Sequence, residues 1–197
     1  MKKQIAVVAE KENDILNILK QVPEIEVTVF HPDGLASHDL SPYEAFILLG
    51  GTRETACLFN CADRPAIEAE IAKGKRVFAE FYGSIGPYQY FLDNQSTRYS
   101  RMIYVNPDNM VDGLDFGDIL EEQCNVYTPK HAPTKNRKSI LITQKHICAH
   151  DHVLPTQEEI QPENVQTLWL EQDNLMICTF RMCNFIRACF APKKKWR

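Results

Sequence analysis

At 197 residues, 44% hydrophobic and 24% charged, the chain has the length for one domain with a full core and an ordinary globular mix. The net charge of −4 conceals six basic residues after Asp173; without them the body holds 16 basic against 26 acidic residues, which argues against nucleic-acid binding, since that depends on neutralising phosphates. No apolar run nears the roughly 20 residues that span a bilayer, and Met1–Gln4 leads at once into a short strand and then charge, so neither a membrane partner nor a leader is expected and the location expected is cytoplasmic.

Gln4–Ala9 is a short β-branched run and reads as a buried strand. Glu12–Val22 places Ile15, Leu16, Ile18, Leu19 and Val22 at helical spacing, closed by Pro23. Ile25–Phe30 alternates as a second strand, and Pro32-Asp33-Gly34 is a turn. Ala45–Leu49 is a fully apolar third strand that ends in Gly50-Gly51. Pro65–Lys73 reads as a helix with proline at its start and Gly74 at its end. Arg76–Phe81 is a fourth strand, ending at Tyr82-Gly83-Ser84. This order predicts parallel strands with crossovers, covered on both faces, with any site at the carboxyl ends of the strands.

The second half is less regular. Met102–Val105, Ser139–Thr143 and Leu175–Phe180 read as strands, and Thr128–Arg137, polar and proline-containing, reads as a loop. Seven cysteines occur, none in a CxxC pair and most among apolar neighbours, which suits reduced core thiols better than a zinc site or a disulfide framework. The end of the chain, Phe190-Ala191-Pro192 onward, has the pattern of a helix start, so a domain over 1–190 is expected, with 191–197 opening a helix that leads into a further domain or fraying as a tail.

Ile47-Leu48-Leu49-Gly50-Gly51-Thr52 and Lys75-Arg76-Val77-Phe78-Ala79-Glu80-Phe81-Tyr82-Gly83, about 30 residues apart with a helix between, resemble the oxyanion-hole strand and the nucleophile elbow of class I glutamine amidotransferases. The resemblance covers roughly residues 4–90 and implies a flavodoxin-like α/β fold: a three-layer sandwich with a mostly parallel central sheet. Aligned on Ala79 and Gly83, the elbow's cysteine position falls on Phe81, which has no nucleophilic atom. The family also uses a His-x-Glu pair late in the chain, and none of the six histidines is followed two residues on by Glu. Loss of both parts implies a retired active site. Arg181–Arg187, with Phe190-Ala191-Pro192 and Trp196, resembles the junction in bacterial glycoside-hydrolase-like proteins where such a domain precedes a carbohydrate-active catalytic domain.

Several residues carry alternative readings. Ser84 sits in Tyr82-Gly83-Ser84-Ile85-Gly86, one residue out of step with a Gly-x-Ser-x-Gly elbow; it is either a substitute nucleophile or a cap on the helix or loop after the strand. Glu80 lies in an apolar strand and needs a partner; with Arg53 it would anchor a sugar or other small polar ligand, or it forms a structural ion pair. His146, His150 and His152, with Asp151, are either a metal cluster or a loop cluster, because strand geometry over Ile140–Ile147 would hold His146 and His150 roughly 13 Å apart. Phe81, Tyr82, Tyr88, Tyr90 and Phe91 either stack on sugar rings or fill a core.

The reading is therefore a non-catalytic, amidotransferase-like accessory or ligand-binding domain with no cofactor. Its ligand site is expected at Gly50, Gly51, Thr52, Arg53, Glu80, Phe81, Tyr82, Gly83 and Ser84. Expected partners are a small polar ligand or sugar, a linked downstream catalytic domain, and a second copy of the chain in a homo-oligomer. The alternative is a hydrolase with a rearranged site, using Ser84 or a cysteine.

Overall fold

The computed structural model describes residues 2–50, 56–86, 88–97, 100–106, 108, 111–122, 126–131, 138–143 and 167–182. Strand β1, Lys3–Ala9, is buried over its last five residues because both of its faces are covered. Ile5, Val7 and Ala9 pack on one face with Leu16 of helix α1, Asp14–Leu19. Ala6 and Val8 pack on the other face with Ile67 of helix α2, Arg64–Ala72. The two helices thus lie on opposite sides of the sheet, which makes three layers.

Helix α1 begins two residues after the expected Glu12: Asn13 is its N-cap, and its Oδ1 accepts the Leu16 amide at 2.8 Å. It stops three residues short of Val22, because Gln21 and Val22 donate to Ile18 and Leu19 in tighter i to i−3 bonds. Helix α2 has proline in its first turn and ends at Gly74, whose φ of 84° lets its amide return to the Ile71 carbonyl at 2.9 Å.

Among the described residues, the main sheet has nine strands. Its parallel half runs β2 (Ile25–Phe30), β1, β3 (Ala45–Leu49), β4 (Arg76–Glu80) and β12 (Leu175–Cys178). From β12 it continues antiparallel through β11 (Thr167–Gln172), β10 (Lys138–Thr143), β7 (Ser100–Tyr104) and β8 (Ile119–Glu122). A second sheet joins β5 (Ser84–Ile85), β6 (Tyr88–Thr97) and β9 (Val126–His131). The expected α/β fold with flavodoxin-like parallel strands and helices on both faces is what forms.

Two sequence expectations change. Thr128–Arg137 is not loop throughout: Val126–His131 pairs with β6, Thr128 opposite Gln95 and Pro129 opposite Asn94. Main-chain pairing tolerates polar side chains, and β9 is an edge strand, where proline's missing N–H is admissible. Ser84 does not cap a helix; it opens β5, paired with Gln89. The segment 191–197 lies outside the described residues, as does the boundary expected there. Among the described residues, no helix is long and apolar enough to cross a membrane.

Candidate functional site

The carboxyl ends of β1, β3, β4 and β12 lie side by side, and each ends in a residue with a special role. At the end of β4, Glu80 is fully buried. A buried carboxylate is tolerable only when strong donors replace water. Here one oxygen accepts the Gly50 amide at 3.2 Å, from the end of β3, and the other accepts the Met182 amide, just past β12. The acid therefore ties together the loops that leave the two strands flanking its own.

Gly50 is glycine for a steric reason. A Cβ there would meet the Glu80 carbonyl oxygen at 2.4 Å, the Phe81 carbonyl oxygen at 2.6 Å and the Phe81 Cβ at 2.9 Å. Phe81 itself takes φ 52°, a left-handed conformation uncommon for a bulky residue. Hydrogen bonds hold it there: its amide donates to Cys178 at 2.8 Å and its carbonyl accepts from Cys57 at 3.0 Å. Its side chain is buried. The strained turn thus falls on the residue that the resemblance aligns with the elbow's nucleophile. It leads into the β5–β6 hairpin and not into a helix.

Residue 57 runs beside this turn, bridging Tyr82 in parallel, and the Gly83 amide donates to the Cys57 carbonyl at 2.7 Å. Burial pushes the Cys57 thiol up to about 12, aided by the Glu10 carboxylate just past β1, whose Oε1 lies 3.5 Å from Sγ. Burial likewise pushes the Tyr82 hydroxyl well above its ordinary value, with Cys57, Glu10 and Glu80 adding to the effect. That hydroxyl lies near the thiol and lowers its pKa, but not in acceptable hydrogen-bond geometry, so it is a buried polar atom without a partner among the described residues. Its ring packs against Phe59 with centroids 4.9 Å apart.

The structure thus brings Gly50, Glu80, Phe81, Tyr82 and Gly83 of the expected site together, with the backbone of Ser84 two residues past Tyr82. Gly51, Thr52 and Arg53 lie outside the described residues, as do His146, His150 and His152. Tyr88, Tyr90 and Phe91 fall in β6. Among the described residues no group of His, Cys, Asp or Glu is placed to hold a metal ion. Sequence reasoning missed Glu10 and Cys57. Glu10 had a signal, a carboxylate right after an apolar strand, as at Glu80; Cys57 had none, because its neighbours in sequence do not reveal that it docks along residue 82.

No family model matches the sequence, and no curated protein does. Solved structures do. A glutamine amidotransferase from Thermotoga maritima matches over 92% of this chain and 76% of its own, with TM-score 0.59 and 8% identity. A protein assigned as a GMP synthase subunit, from Thermoplasma acidophilum, matches over 91% and 84%, with TM-score 0.56 and 9% identity. Alpha-L-fucosidase isoenzyme 2 from Paenibacillus thiaminolyticus matches over 89% of this chain but 28% of its own, with TM-score 0.53 and 11% identity. At such identities the likeness is one of fold: the chain has the α/β fold of class I glutamine amidotransferases.

Proposed function

We propose that this chain is a non-catalytic, amidotransferase-like domain that binds a small polar ligand or serves as an accessory to a larger, carbohydrate-active bacterial protein. The observation that carries this reading is Phe81. The strained turn after β4 bears a buried aromatic ring where acyl-transfer chemistry would need a thiol or hydroxyl.

Three further observations support it. A hairpin follows the turn in place of a helix, so the turn does not open onto a helix N-terminus that would favour an anion. The Gly50 amide, in the stretch that resembles the oxyanion hole, already donates to Glu80. Cys57, the thiol beside the turn, is a neutral thiol at physiological pH and not a nucleophilic thiolate. For the accessory role, the support is the fucosidase, in which a stretch of this fold makes up 28% of the chain.

A thermal-shift screen over simple sugars tests the ligand-binding reading, since a ligand at about 100 times its Kd stabilises by about 2.7 kcal/mol. Glutaminase or esterase activity that disappears in Ser84→Ala would sink the non-catalytic reading and establish the rearranged hydrolase in its place.

A further inference from the structure

Beyond Glu80, the same face of the sheet carries buried hydrogen-bond donors left unsatisfied among the described residues. Register sets Leu49, Glu80, Cys178 and Trp169 level across β3, β4, β12 and β11; beyond an irregular β10–β11 ladder, Leu141 and Tyr104 are level across β10 and β7 and pack in the same cluster as Trp169. Level residues on neighbouring strands present side chains to the same face. The Trp169 ring agrees with this by packing on Phe78, two residues before Glu80, at a centroid distance of 5.6 Å. Arg181 follows β12 by three residues, between Phe180 and Met182, both of which pack in the cluster that holds Trp169 and Tyr104.

Three side-chain atoms here are fully buried without a hydrogen-bond partner among the described residues: Arg181 Nη1, Trp169 Nε1 and Tyr104 Oη. Buried polar atoms in folded proteins are nearly always paired, so three orphans in one neighbourhood need an explanation. Their chemistry is one-sided. A guanidinium and an indole N–H donate and cannot accept, and a tyrosine hydroxyl can join them as a third donor. The complement is a group that only accepts, and a planar guanidinium suits an oxyanion above other acceptors.

We propose that this face, at the carboxyl end of β12 beside β11, binds a small oxyanion, a carboxylate or a phosphate, through Arg181 and Trp169, with Tyr104 behind them. This deepens the ligand-binding reading by naming a ligand class, and rests on it only in placing the ligand at the strand ends. An active hydrolase with an oxyanion site, or an inactive domain without one, would each separate the two claims.

The test uses the full chain in a Trp196→Phe background, which leaves Trp169 as the single tryptophan. Inorganic phosphate and succinate are titrated separately against sodium chloride at matched ionic strength, following Trp169 emission and Tm. The expected result is a saturable emission change and a rise in Tm with one of the two anions, which identifies the source as phosphate or carboxylate. Arg181→Gln should weaken that response by about tenfold, the effect of losing a charge-assisted bond. Should Arg181→Gln fail to fold, Trp169→Phe, read by Tm alone, keeps an aromatic ring beside Phe78 and removes the N–H; weaker binding supports the site. A response no different from chloride with both anions overturns the proposal, as does an unchanged response in the variants that fold.

Discussion

Glu80 concentrates the chemistry of the strand ends into one side chain. Both oxygens accept main-chain amides, one from Gly50 and one from Met182, so each oxygen is used as an acceptor. Glu80→Gln keeps the shape but turns one acceptor into an NH2 that faces an amide donor. Urea denaturation should show a loss of about 1–3 kcal/mol, the cost of a buried unsatisfied donor. Gly50→Ala should be similarly severe, about 1–3 kcal/mol or more, because the clash is with two carbonyl oxygens and not with a side chain that can turn away. Among the described cysteines, Cys61 is exposed while Cys57 and Cys178 are buried. Native labelling with a maleimide near pH 7.5, mapped by peptide mass, should therefore modify Cys61 promptly and Cys57 only after unfolding; prompt labelling of Cys57 would contradict the burial that raises its pKa. At this scale the sequence was partly legible: an acid in an apolar strand announced Glu80, but its partners come from two distant strand ends and left no local pattern.

The elements that frame the site depend on polar tethers as much as on apolar packing. Asp63, at the N-cap of α2, accepts the amides of Gly34 at 2.9 Å and Ala36 at 2.8 Å, and the Asn60 side chain at 2.6 Å. These bonds, with the Ala36 amide the strongest, hold its carboxyl below the ordinary 3.8. A carboxyl lowered in the folded state stabilises above its unfolded pKa, and the stabilisation is lost as pH falls through the folded value. Asp63→Asn should thus lower Tm near neutral pH, and the gap from the parent should narrow as pH falls below 3.8. A gap independent of pH would show that the charge is not what matters. On the opposite turn, Asn174 Nδ2 donates to the Ile71 carbonyl at 2.9 Å and the Lys75 carbonyl at 2.5 Å, clamping the β11–β12 hairpin to the last turn of α2 and the loop that follows it. The first four parallel strands and both helices could be read from the sequence because each carries its own apolar period and its own cap. β6 and β9 could not: neither shows a sustained apolar alternation, and pairing across the second sheet makes them strands.

Across the whole molecule, the parallel half supplies the amidotransferase architecture and β12 completes it from more than ninety residues downstream of β4, pairing Cys178 with Glu80. That long return is why the second half resisted sequence reading: β12 was expected as a strand, but nothing local says it lies parallel to β4 or that its exit loop donates an amide to Glu80. The fold and the proposed chemistry then diverge at one position, the left-handed turn at Phe81. The most direct measurement is intact-mass analysis of the full chain after incubation with an electrophilic glutamine analogue, with peptide mapping of any adduct. No stoichiometric adduct is expected. A single adduct at Ser84 or at one cysteine, formed in the native chain and abolished by substituting that residue, would contradict it and make the chain a working enzyme.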